Sequence, residues 1–303
     1  SSESGELGST MSSAATLLAR SARRRRRVPI GRVVAVIILF LGGVGMIAPF
    51  LWMIVTALKS PAHLFDVPPN WIPLEFEWDN FSKAVNGPLP LLRNMFNSAF
   101  IAIVGTLGIL ITAPMAGYAF ARLQFRGQNA IFIGLLASMM VPVQVTIIPL
   151  FLIMRNLGVI NTPWSLILPA LTWAFGVFLM RQFFLTVPKE ILEAARIDGA
   201  GPWTTYRLVA LPLVKNGLSA LGVIAFLNNP YLWNAYFAPS IFLNSQDTAT
   251  LPLALVLMQG PFSTGQMNVV MAATTLAVVP ALIVFLIAQR WIIASLTQSA
   301  VKG

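Results

Sequence analysis

The sequence predicts an all-α integral membrane protein with about six transmembrane helices. Three observations predict it. Of 303 residues, 57% are hydrophobic and only 10% are charged, whereas a soluble domain carries about 25% charged residues. Several apolar stretches reach the roughly 20 residues that a helix needs to cross a hydrocarbon core of roughly 30 Å. The cations are also placed unevenly around those stretches. With six spans and the N-terminus inside, sixteen of the 20 Lys and Arg lie on one side, and only Lys59, Lys83, Arg93 and Arg155 lie on the other. The positive-inside rule then places both termini in the cytoplasm of a multi-pass plasma-membrane protein.

Residues 1–32 read as a disordered, Ser-rich cytoplasmic tail that ends in the run Arg23 to Arg27. It has too few apolar residues to fold. The arginine run suits an anchor on anionic membrane lipid. The net charge of +10 does not argue for nucleic acid, because most of the arginines flank spans. The first span is Val33 to Leu58, longer than the roughly 7–15 apolar residues of a cleaved signal. Residues 59 to about 93 form a polar outer segment. Pro61, Pro68, Pro69, Pro73, Pro88 and Pro90 prevent one long helix there, and Trp71 and Trp78 suit an interface.

Span two runs from about Phe96 to Ala121. Ala113, Gly117 and Ala121 recur every four residues, a stripe that either lets another helix approach closely or reflects only an alanine-rich span. Arg122 and Arg126 mark a short inner loop. Span three is about Ala130 to Met154, with kinks expected at Pro142 and Pro149. Gln144 and Thr146 near the kink either line a pathway or serve packing. Span four is about Ser165 to Phe184. Span five runs from about Leu218 into the 230s and is interrupted by Asn228, Asn229, Pro230 and Tyr231. Residues 244–268 return outside as an excursion whose apolar part, Leu251 to Met258, is too short to span. Span six is about Val269 to Ala288, followed by Arg290 and an inner tail.

Between spans four and five lies Pro188 to Pro212, PKEILEAARIDGAGPWTTYRLVALP. Its charges exclude it from lipid, where each costs roughly 2.5–3.5 kcal/mol at the bilayer centre. Pro188 suits the first turn of a helix. Lys189 to Ile197 are good helix formers, with Ile191, Leu192, Ala194 and Ala195 on an apolar or small face. Gly199 and Gly201 permit a sharp turn. Pro202 starts a second short helix through about Val209, and Pro212 ends it. The result is a polar helix–turn–helix elbow, with small alanines flanked by charges, suited to a groove on a soluble partner.

Glu193-Ala194-Ala195, Asp198-Gly199, Val209 and Leu211-Pro212 stand at the spacing of the EAA loop, and on these residues the chain resembles the permease subunits of ABC importers. Asn97-Ser98, Tyr118 to Arg122, Arg181 to Phe184, Trp233-Asn234 with Pro239, and Ala300 to Gly303 resemble the carbohydrate branch. The closest likeness is to the smaller six-span permease of maltose-like and glycerol-phosphate-like importers. Two departures stand out. Asn216-Gly217 replaces a second proline after Leu-Pro, and Ala235 follows Trp233-Asn234 where an acidic residue is usual.

The resemblance implies that residues 33–303 are the permease domain and that 188–212 is a cytoplasmic coupling helix. Glu193, Ala194, Ala195, Asp198, Gly199 and Pro212 would then meet an ATPase subunit. It implies a second permease, two ATP-binding subunits that carry the ATP and Mg, and an extracytoplasmic solute-binding protein. The solute is a sugar or sugar-like molecule, moved by alternating access. Gln144, Asn228, Asn229, Tyr231, Trp233 and Asn234 are the candidates for the substrate pathway.

The rest of the sequence limits the chemistry. There is no G-x-x-x-x-G-K-[ST] phosphate loop, and no charge lies in the middle of a predicted span, where proton-coupled carriers usually show one. There is no cysteine and a single histidine, His63, so no metal set and no thiol chemistry are expected. No catalytic constellation is visible, and the chain is not expected to be an enzyme. The alternatives are a secondary transporter or channel without an ATPase, and a membrane scaffold or receptor.

Overall fold

The structure is a computed structural model in which residues 30–260 and 266–300 are described. The chain forms two compact units, residues 1–52 and 53–303. Among the described residues the first unit is the greater part of α1 (Ile30–Ala57). Its apolar side chains stand exposed along its length, Leu39 at 74%. The tail expected over residues 1–32 lies outside the described residues up to residue 29. Residues 30–32 are already helical, so Arg32 belongs to α1 and not to a tail.

The second unit is helical, with no strand among the described residues. After a single 3-10 turn (Pro61–His63) come α2 (Asp79–Asn86), α3 (Leu91–Arg122), α4 (Gln128–Ser138), α5 (Val143–Asn156), α6 (Trp164–Ala170) and α7 (Ala174–Leu185). Next are α8 (Lys189–Ile197), α9 (Pro202–Leu213), α10 (Lys215–Asn228), α11 (Phe237–Phe242), α12 (Leu251–Leu257) and α13 (Met267–Ala300). Four stretches are long and apolar enough to cross a membrane: 31–57, 91–122, 164–185 and 267–287. The number rises to as many as six if each of two bent pairs is one span: α4 with α5, at 103°, and α9 with α10, at 79°.

Span three is therefore broken rather than kinked, and the second bend falls ahead of the predicted span five. In span three the break falls at Pro142. Its ring disfavours a helical Val141, and Pro142 itself is extended, with φ −61° and ψ 139°. Pro149 lies inside α5 without ending it. Pro212 likewise does not end the second arm of the elbow. The chain widens into a π turn over Thr205–Ala210, then continues as Leu211–Leu213. A wider turn relieves the clash between a proline ring and the carbonyl four residues earlier. The bend comes at Val214 instead, with φ −103° and ψ 20°. The final helix runs to Ala300, beyond the expected end at Ala288.

α3 organises the unit, packing on α7, α6, α10 and α12. The small-residue stripe explains its closest contact. Ala113 and Gly117 are buried, and a Cβ at Gly117 would lie 2.8 Å from Met180 Cβ and 2.9 Å from the Arg181 backbone nitrogen. Only hydrogen fits there, so α3 and α7 touch almost backbone to backbone.

At the N-terminal end of α3, polar side chains hold the excursion between spans five and six. Asn94 Nδ2 donates to the carbonyls of Gln246 (2.7 Å) and Ala249 (2.9 Å), and Asn97 Nδ2 donates to that of Asp247 (2.8 Å). The Leu251 N–H donates to Ser98 Oγ at 2.7 Å. Asn161 joins the same end: its Oδ1 accepts from Thr248 Oγ1 at 2.6 Å and from the Asn244 N–H at 3.0 Å. Buried Asn80 donates to the carbonyls of Ala57 and Lys59, and buried Asn268 donates to Lys59 O and Asn80 Oδ1. Each satisfies backbone groups that an irregular segment would otherwise leave unpaired.

Candidate functional site

Two features of the second unit can do work: the polar elbow at the C-terminal end of α3, and a cavity where three helices break.

The first arm of the elbow is α8. Pro188 precedes it in extended geometry, with φ −57° and ψ 137°. Leu192 is its one buried residue, so the predicted apolar face is divided. Leu192 turns toward the protein and Ala195 is half-buried, while Ile191, Glu193, Ala194 and Asp198 are exposed. Glu193 forms no ion pair among the described residues, so its carboxylate is available to a partner.

Gly199 closes the arm in the left-handed region, φ +85°. The Gly199 N–H donates to Arg196 O and the Ala200 N–H to Ala195 O, both at 3.0 Å. These are the paired bonds of a Schellman C-cap. Nothing lies within 4 Å of where a Gly199 Cβ would stand, so the requirement for glycine in the isolated chain is conformational and not steric.

The second arm, α9, starts after extended Gly201, and Thr205 Oγ1 donates to Gly201 O at 3.0 Å. It is fixed by aromatic packing. The Tyr206 ring lies 5.2 Å from Tyr118 of α3, 6.2 Å from Phe184 of α7 and 5.3 Å from Trp203. Trp203, Leu208 and Pro212 remain exposed. The elbow thus exposes Glu193, Ala194, Ile197, Asp198, Gly199 and Trp203, while Leu192 and Tyr206 are buried against the protein. From sequence Tyr118 stands out only within the stretch that carries the branch resemblance, and Tyr206 not at all. Nothing local in the sequence shows that they meet.

The cavity has a volume of about 540 Å³, within the roughly 300–1,000 Å³ range of ligand pockets. Its lining comes from three breaks. Ser138, Pro142 and Thr146 belong to the α4–α5 break, Thr172 and Trp173 to the connection between α6 and α7, and Pro230 and Tyr231 to the segment after α10. Broken backbone at membrane depth is tolerated where it is buried in protein or lines a cavity. No lining side chain is charged.

Of the candidate pathway residues, Tyr231 lines this cavity. Gln144 is exposed, next to lining residue Val143. Asn228 is exposed at the end of α10. Asn229 is buried, and its Oδ1 accepts from the Tyr231 N–H at 3.0 Å, shaping the break. Trp233 is buried and stacked on Phe226, with centroids 5.4 Å apart. Asn234 Nδ2 donates to Leu227 O at 2.9 Å, satisfying a carbonyl near the end of α10. Sequence reading missed Thr172 and Trp173. Pro169 just before them was the available signal.

Long apolar helices, chain breaks gathered around a cavity and a polar elbow at one end define a polytopic membrane protein. Residues 108–298 match the family of binding-protein-dependent transport system inner membrane components, and the chain belongs to that family. The arabinooligosaccharides transport system permease protein AraQ of Halalkalibacterium halodurans is 36% identical over 207 residues, covering 68% of this chain and 73% of AraQ. The sn-glycerol-3-phosphate transport system permease protein UgpE of Yersinia enterocolitica is 34% identical over 270 residues, covering 87% and 95%. A chain of the crystal structure of a bacterial ABC transporter involved in the import of the acidic polysaccharide alginate shares the fold. Its TM-score is 0.72 at 22% identity, covering 88% of this chain and 98% of that one. The chain is therefore a multi-pass membrane permease subunit of an ABC-type importer, which sets aside the secondary carrier and the scaffold.

Proposed function

We propose that this permease moves a sugar or sugar-like solute inward through an assembly with a second permease, two ATP-binding subunits and an extracytoplasmic solute-binding protein. Both termini lie in the cytoplasm. The observation that carries the reading is the elbow. It is a short helix closed by a left-handed glycine, with a free carboxylate and small side chains facing out and an aromatic cluster behind. Such a surface fits a groove on a soluble domain that would carry the ATP and Mg, a division supported by the lack of a phosphate loop in this sequence. The solute class is supported by the substrates named for the relatives, an arabino-oligosaccharide and a glycerol phosphate.

Closure of the ATP-binding subunits would move the elbow. The elbow is packed on α3 and α7, so the helix breaks around the cavity would open to alternate sides. Gln144, Asn228, Asn229, Tyr231, Trp233 and Asn234, with Thr172 and Trp173, would shape the route.

The test is reconstitution of the complete importer in proteoliposomes with its binding protein. ATP-dependent uptake is measured for a labelled neutral oligosaccharide and for glycerol phosphate. Accumulation of either one supports the reading. Uptake of neither, or failure to recruit ATP-binding subunits, overturns it.

A further inference from the structure

Two stretches far apart in sequence, Tyr118 to Arg122 and Arg181 to Phe184, close on each other at the C-terminal end of α3. Arg122 is the last residue of α3. Its Nε and Nη2 donate to Phe184 O at 3.0 and 2.6 Å. The same Nη2 donates to Leu185 O at 3.3 Å and to Val187 O. These carbonyls end α7 and lead directly into Pro188, where the elbow begins. The last four carbonyls of a helix lack intrahelical partners, and a cation there is favoured by the helix dipole.

The grip is returned from the other side. Arg181 of α7 donates from Nε to Phe120 O at 3.2 Å, and its guanidinium lies 4.2 Å from the centroid of the Phe132 ring of α4. Gln128 Nε2 donates to the same Phe120 carbonyl at 2.9 Å. With the close approach at Gly117, the ends of α3 and α7 and the start of α4 are tied into one block. Between that block and α8 lie only Thr186, Val187 and Pro188. That link bonds to its own turn through the Thr186 and Val187 N–H groups and Thr186 Oγ1, which donate to the Phe183 and Phe184 carbonyls.

We propose that Arg122 is a positioning residue for energy coupling. It clamps the entry of the elbow onto the α3–α7 block, so that displacement of the elbow reaches the membrane helices instead of being absorbed in residues 186–188. This rests on the reading of the elbow as the ATPase contact. The planar guanidinium fork holds the Phe184, Leu185 and Val187 carbonyls at once. A lysine in its place keeps the charge as a point on a flexible stem.

The test uses the complete importer in proteoliposomes: wild type, Arg122→Lys and Arg122→Gln. Recruitment of ATP-binding subunits, basal and binding-protein-stimulated ATP hydrolysis, and solute moved per ATP are measured. Both Arg122 variants are expected to recruit ATP-binding subunits and keep basal hydrolysis. They lose solute moved per ATP by roughly tenfold, the scale of one charge-assisted hydrogen bond, with Arg122→Gln the more severe. Unchanged solute per ATP in both variants overturns the proposal. So does a parallel fall of recruitment, hydrolysis and uptake in both, which marks Arg122 as holding the fold only. A wild-type complex that recruits no ATPase fails at the earlier reading and is recognised as such without any variant.

Discussion

Gly199 separates two demands that a turn glycine usually merges. Its φ of +85° costs an L-residue about 1–2 kcal/mol, while the empty space around its Cβ position means size alone costs nothing in the isolated chain. Gly199→Asn is therefore expected to be mild, because asparagine tolerates this region, and Gly199→Ala intermediate. Gly199→Trp should match Ala in thermal unfolding of the purified permease. If the elbow docks into a groove, Trp should also lose ATPase-subunit recruitment well beyond Ala. Equal recruitment by the Ala and Trp variants would show that this surface meets no partner. Glu193 is the electrostatic counterpart. Its carboxylate is exposed and unpaired in the chain, so Glu193→Lys should leave folding unchanged. Recruitment should weaken by about 1.5–3 kcal/mol, the scale of a hydrogen bond to a charged group, as read from titration of the ATP-binding subunit.

At the scale of elements, the α3–α7 seam and the helix breaks make opposite demands, one of tight contact and the other of open space. Gly117→Leu would force its side chain onto the Met180–Arg181 backbone, and overpacking of this kind costs about 1–3 kcal/mol. The expected result is a lower unfolding temperature in detergent, with a conservative change at exposed Ile111 as the silent control. The breaks can be probed cleanly because the chain has no cysteine. Thr172→Cys and Tyr231→Cys, on the cavity wall, should react with a water-soluble thiol reagent and be protected by transported solute. A cysteine replacing buried Leu232 should not react, and equal labelling of all three would refute the cavity as a route. Legibility from sequence divided along the same line. Span positions, the small-residue stripe and the turn at Gly199 follow from local hydropathy and backbone chemistry. Pro142 broke its helix, but Pro149 and Pro212 did not, because the cost of a proline depends on which carbonyl it displaces and what replaces that bond. The cavity and the Arg122 clasp unite residues tens of positions apart. Arg122 in particular reads locally as one more cytoplasmic cation, with nothing to reveal that it caps another helix.

For the whole molecule, the side on which each terminus lies turns on whether the two bent pairs cross the membrane. At about 1.5 Å per residue, neither half of the first pair reaches roughly 30 Å except in combination, and in the second pair α9 is the arm of the elbow, so a crossing there needs α10 together with the segment after it. A 103° bend alone would equally suit a re-entrant loop. The polar contacts favour a crossing. The loop before α4 leaves the C-terminal end of α3, where Gln128 bonds to Phe120 O. The loop after α5 carries Asn161, bonded to Asn244 and Thr248, and that excursion is held by Asn94 and Asn97 at the opposite end of α3. The first pair therefore connects the two ends of α3. The second does the same, starting with Tyr206 against Tyr118 near one end and reaching, through Phe242, whose carbonyl accepts from the Asn161 N–H, the other. Such connections are what the proposed topology of six crossings with both termini on one side requires. The excess of cations beside the elbow end, Arg122, Arg126, Arg181, Lys189, Arg196, Arg207 and Lys215, supports the proposed assignment of that side to the cytoplasm. A reporter that is active only in the cytoplasm, fused after Gly303, should be active, and one fused within the 244–248 segment should be silent. An active fusion at the excursion together with a silent one at Gly303 would invert the topology, remove the elbow from any ATP-binding subunit and end the importer mechanism proposed for this chain.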